Sequence, residues 1–182
     1  MHILFATALF VSALHPAVAA DGEHFTATAS IKSPQITQSA QVGFQINRFV
    51  SAADREKFLA IVKKHDTAAT LAALTAMPDI GVIETPKAKT PIKYAYATPT
   101  GSGRLITIVT AKPILHIGGD LPDAKPKTGF DLALVFLILD ATDKGDGEFA
   151  PAAKVKVDAS GAIVTEDYGP ATVHLTGVSK TK

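Results

Sequence analysis

Residues Phe130 to Asp140 read FDLALVFLILD, the densest apolar run downstream of the first twenty residues. Side chains of a strand alternate between its two faces. Phe130, Leu132, Leu134, Phe136 and Ile138 then share one face, and Ala133, Val135, Leu137 and Leu139 share the other. A half-exposed strand would present a polar side. This one presents none, which predicts a central strand covered on both faces, with the other segments paired to it or packed on it.

Outward from that strand the chain alternates between two periods. His24 to Lys32 (HFTATASIK) places Phe25, Ala27, Ala29 and Ile31 on one side and Thr26, Thr28, Ser30 and Lys32 on the other. Gln41 to Phe49 repeats the pattern with Val42, Phe44 and Ile46 inward, and the two predict a strand pair. From Ser51 the period lengthens. Ser51 is placed to cap a helix with Asp54 three residues on, and Phe58, Leu59, Ile61 and Val62 form its apolar stripe. Asp66 is placed to cap a second helix, with Leu71 and Leu74 on its apolar side and Pro78 to stop it. Both are too short to hold alone and must pack on a sheet.

The remainder reads as strands: Ile80 to Thr85, Ile92 to Thr98, Arg104 to Thr110, the central run, Ala153 to Asp158 as an outer strand, Ala162 to Thr165, and Thr172 to Val178. Ile92, Tyr94 and Tyr96 fall on one face, and Asp143 to Gly147 reads as a tight acidic turn. Turns every ten or so residues without βαβ alternation predict a single α+β domain over residues 21–182. Its sheet is mostly antiparallel, of about eight strands, with two short helices packed on one face or end.

Residues 1–20 (MHILFATALFVSALHPAVAA) carry an apolar run too short to span a bilayer, a helix-breaking Pro16 and the small residues Ala17, Val18 and Ala19. This predicts a cleavable signal peptide and an exported product, periplasmic or extracellular, without a membrane anchor after cleavage. The chain has no cysteine, which excludes disulfides, thiolate metal sites and cysteine nucleophiles. A net charge of +1 gives no global attraction for nucleic acid or an anionic membrane. Charge is uneven, however. Lys87 to Lys127 holds seven Lys/Arg against two acids, and Asp131 to Asp167 holds eight acids against three Lys. Neighbouring strands of opposite charge explain this as well as a binding face does.

Candidate chemistry is sparse. Asp140, Asp143, Asp146 and Glu148 could hold a calcium ion through carboxylate oxygens, but they miss the EF-hand spacing, and the same residue types build a hairpin turn. Gly101-Ser102-Gly103-Arg104 could cradle an anion, yet a strand rather than a helix follows it. His116, beside a Gly-rich loop with Asp120, could do acid–base work. His24, His65 and His174 form no metal spacing with it, and His65 reads as a cation in the last turn of the first helix. Tyr94 and Tyr96 could line an apolar ligand site, with Arg104 as a charged contact, or form a core edge. No cofactor motif is present.

The stretches PIKYAYA (Pro91 to Ala97), RLITIVTAKPI (Arg104 to Ile114), FDLALVFLILD and GDGEFAPAAKVKVD (Gly145 to Asp158) resemble uncharacterised secreted bacterial proteins with an N-terminal signal peptide. The resemblance covers about half of the chain after residue 20 and lends no activity. It implies an acidic residue and an Arg where this chain has Ala111 and Lys112. The expectation is an exported, non-enzymatic binding or envelope-associated domain with an envelope component or protein as a partner. Two alternatives stand beside it: a periplasmic hydrolase using His116 and nearby carboxylates, and a weak calcium-binding adhesion module.

Overall fold

A computed structural model describes residues 22–32, 37–115, 128–168 and 173–181. Strands β1 (Glu23–Lys32) and β2 (Thr37–Ile46) lead into helices α1 (Ala52–Val62) and α2 (Thr67–Ala76). Strands β3 (Gly81–Glu84), β4 (Lys89–Pro99), β5 (Gly103–Thr110), β6 (Leu132–Asp140) and β7 (Lys144–Val157) follow, then β8 (Ile163–Tyr168) and β9 (Val173–Thr181). Each strand from β1 to β7 pairs antiparallel with the next. β8 and β9 occupy successive lengths of the other edge of β7, at residues 153–157 and 144–149 respectively. β9 then pairs with β1. The expected antiparallel sheet is therefore closed into an eight-stranded up-and-down barrel, with β8 and β9 serving as one stave. Closure removes the unpaired edges that an open sheet would expose.

The predicted inward residues fill this ring. Phe25, Ala27 and Ala29 of β1, Val42, Phe44 and Ile46 of β2, and Phe149 of β7 belong to one buried cluster with the inner face of β6. The lumen is a packed core. A second cluster lies outside the ring, where Phe58, Leu59, Val62 and Leu74 of the helices cover Tyr94, Val109, Leu132, Leu134 and Ile163. The capping expectations hold: Ser51 Oγ accepts from Asp54 N at 3.1 Å, and Asp66 Oδ1 accepts from Ala69 N at 2.9 Å.

β6 lies between these two cores, but not along its whole length. Ala133, Val135, Leu137 and Leu139 face the lumen, and Leu132 and Leu134 lie under the helices. Phe136 is only partly covered, and Ile138 is 57% exposed. The expectation of two covered faces thus holds for the first half of the strand. An 11-residue helix such as α1 is about 16 Å long, whereas nine residues of strand run about 30 Å.

Single extra residues redirect whole faces. The β4–β5 register slips between Ile92 and Tyr94. Ile92 therefore points into the lumen while Tyr94 and Tyr96 face the helices, and the three do not share a face as the alternation predicts. On β9, both neighbouring registers skip one residue beside Gly177, whose φ is +62°. Leu175 points inward before this bulge, and Val178 after it. β7 begins at Lys144, so the acidic turn is shorter than expected and comprises residues 141–143. Ala153 to Asp158 is likewise no separate outer strand but the far end of β7, where β8 is the partner.

The two outer-half positions of β6 give a direct comparison. Leu137→Ala empties lumen volume and is expected to cost about 2–5 kcal/mol in urea unfolding. Ile138→Ala, one residue on, should cost no more than about 0.5 kcal/mol. Equal losses at the two positions contradict the assignment of inner and outer faces.

Candidate functional site

The sequence candidates come to rest in different places. Arg104 does not face the Gly101–Gly103 turn. It lies on β5 in phase with Ile106 and Ile108, and it reaches across one mouth of the barrel to Glu23 on β1, four staves away. Arg104 Nη1 donates to both Glu23 oxygens at 3.1 and 2.9 Å, and Nε donates to Asp143 Oδ1 at 2.9 Å. Lys180, turned inward by the Gly177 bulge, donates to Glu23 Oε1 at 2.8 Å and lies 3.6 Å from Asp143 Oδ2. The guanidinium also stands 5.7 Å from the centre of the Phe25 ring. Four charges thus close this end of the lumen, and Glu23, the most buried, is held by two cations. The Glu23 carboxylate beside it raises the Lys180 pKa above the usual lysine value.

Of the acidic residues, Asp140 and Asp146 are engaged by the backbone. Asp140 Oδ1 accepts from Thr142 N at 2.7 Å, Thr142 Oγ1 at 2.8 Å and Lys144 N at 3.1 Å. These bonds, the Thr142 hydroxyl first, hold its carboxyl below the usual range. Asp143 adopts φ +59° in the turn and joins the mouth network, and Asp146 accepts from Gly177 N at 3.2 Å. Glu148 is exposed on β7 opposite Phe136 and His174. Among the described residues no group of three or more acids or histidines is placed to hold a metal ion.

Tyr94 is buried against Phe58, with ring centroids 5.2 Å apart, and burial pushes its phenol up to about 12 against the pull of Arg55. Tyr96 is half-buried with the Arg55 guanidinium 4.8 Å from its ring centre, and Arg55 also donates to the Gly161 carbonyl at 2.8 Å. The two tyrosines therefore seat the helical hairpin. His65 follows α1 rather than ending it. It adopts φ +55°, is exposed, and lies 4.0 Å from Glu166. His24 and His174 are exposed on outer faces. His116 and Asp120 lie outside the described residues.

A concavity that composition and motif do not reveal lies between the helical hairpin and the barrel. A furrow of about 350 Å³ is lined by Val50, Phe58, Ile61, Ala73, Met77, Pro78 and Ile80, with Arg48, Asp54, Lys57 and Lys93 at its margin. It exists because α2 reads TAATLAALTA and turns Ala73 and Ala76 toward it where larger side chains would fill the space. The signal was present in that alanine-rich stretch, but only next to α1 and Ile80 does it become a hollow. Lys93, the bulged residue of β4, pins the C-terminal end of α2 by donating to the Met77 carbonyl at 2.9 Å, and pairs with Asp79 at 2.7 Å. Asp54 is held ionised by Ser51 first and then Lys57, so it serves the furrow as a fixed negative charge rather than a proton donor.

Removal of the mouth arginine tests whether that network is structural. Arg104→Ala leaves the 9%-exposed Glu23 side chain with Lys180 alone and is expected to cost about 2–3 kcal/mol of unfolding free energy. Arg104→Lys should recover only part, because an ammonium cannot fork both oxygens. Unchanged stability in Arg104→Ala dismisses the role. No protein-family model, curated protein or solved structure matches the chain.

Proposed function

We propose that the protein is an exported, non-enzymatic binding domain whose ligand occupies the furrow between the helical hairpin and the barrel wall. The observation that carries this reading is an open apolar concavity beside a lumen already filled by side chains. A barrel that binds inside itself needs an empty interior, whereas here the hollow has moved outside the ring. The furrow's margin brings together Arg48, Asp54, Lys57 and Lys93, a set suited to orienting a ligand rather than to nucleophilic attack. Export is supported by the apolar, small-residue pattern of residues 1–20. The outward residues of β1 and β2, among them Thr26, Thr28 and Gln41, are polar, and the lumen is apolar. A lipid-embedded barrel has the reverse arrangement. No helix among the described residues is long and apolar enough to cross a membrane.

Ala73→Trp should fill the furrow. Nile red, a neutral apolar dye, is expected to brighten with the wild-type protein and to lose most of that response in the variant, while the circular dichroism spectrum stays the same. A dye response that survives the tryptophan removes the furrow as the site. For export, the full chain expressed in a Gram-negative host is expected in the periplasmic fraction with an intact mass beginning at Asp21. Retention of residues 1–20 in the cytoplasm rejects that part.

A further inference from the structure

Resting on the furrow as the ligand site, we infer that its ligand is a single-chain amphipathic carboxylate, with the acyl chain in the furrow and the head group on Arg48. The argument turns on which margin charges are already spent. Lys57 pairs with Asp54 Oδ1 at 3.2 Å, and Lys93 pairs with Asp79 at 2.7 Å and donates to the Met77 carbonyl. The second Asp54 oxygen accepts from Ser51 Oγ at 2.8 Å. Arg48 is exposed, and its guanidinium makes no hydrogen bond or ion pair with any described residue; its charge acts on Asp54 only through space, as the weakest of the influences that lower that carboxyl's pKa. Its backbone is nonetheless positioned where the chain leaves β2, with Asn47 N donating to the Ile80 carbonyl at 2.8 Å. A guanidinium offers a planar fork that matches a carboxylate with two parallel bonds.

The charge count sets the valence. Two of the three margin cations are matched by carboxylates, leaving one unmatched positive charge. That balance suits a monoanion, and the Asp54 carboxylate repels a dianion. The lining sets the body of the ligand: Val50, Ile61, Ala73, Met77 and Pro78 are aliphatic and partly open to solvent. A flexible hydrocarbon chain fits such a lining and needs no polar partner along its length.

Calorimetric titration of the full chain with dodecanoate, dodecanol and dodecylammonium, each below its aggregation concentration, tests the inference. Dodecanoate is expected to bind the most tightly and dodecylammonium the least. Arg48→Gln should weaken dodecanoate about tenfold, the equivalent of one charge-assisted hydrogen bond, and leave dodecanol unchanged. If all three bind alike, or if Arg48→Gln changes nothing, the head-group assignment is overturned while the furrow stands. If none binds and Nile red does not brighten either, the furrow itself is lost. Flotation with anionic phospholipid vesicles without uptake of dodecanoate, or a dimer abolished by Ala73→Trp, also overturns the inference, in favour of a membrane surface or a second copy.

Discussion

The pairing of β9 with both β7 and β1 is the constraint on which the rest of the molecule depends. It joins the last strand to the first and turns a meander into a ring. With the ring closed, the alternation of each strand acquires an inside and an outside, and the inside holds Phe25, Phe44 and Phe149 in one dry cluster. Without that pairing, β1 and β7 would each present a row of unsatisfied backbone groups. Their apolar faces would then have nothing across the lumen to pack on.

Closure also explains the charged mouth. Glu23 lies on β1 and Lys180 on β9, the two strands that closure brings together, and Arg104 comes from the stave opposite β1. Burying a carboxylate as deeply as Glu23 is costly unless its oxygens are met by donors. Two cations meet them, and the Phe25 ring lies beneath one of those cations. The network reads best as an end-plate of the core. Its residues are committed to each other rather than to a ligand.

On that wall the helical hairpin acts as a partial cover. It buries the outer side of β6 at Leu132 and Leu134, held by Tyr94, by Arg55 and by the lysine at the β4 bulge. Its alanines leave a hollow toward Ile80 and Met77. One structural economy follows: the residue that re-aims Tyr94 under the helices also anchors the end of α2 beside the furrow.

What could be read from the sequence was whatever depends on near neighbours. Alternation in His24 to Lys32 and around Phe44 assigned inward residues correctly, and Ser51 and Asp66 marked the helix starts, because a strand face and a cap are set by residues within a few positions. The apolar Phe130 to Asp140 run announced a strand with cores on both sides, which holds for its first half but not at Ile138. Closure, the one-residue bulges at Lys93 and Gly177, the meeting of Glu23 with Arg104 and the furrow depend on partners 81 or more residues apart for the ion pair and on register against neighbouring strands for the bulges. A bulge reverses every face beyond it without altering local composition, so Ile92 and Tyr94 looked alike in the chain and parted only in the folded barrel.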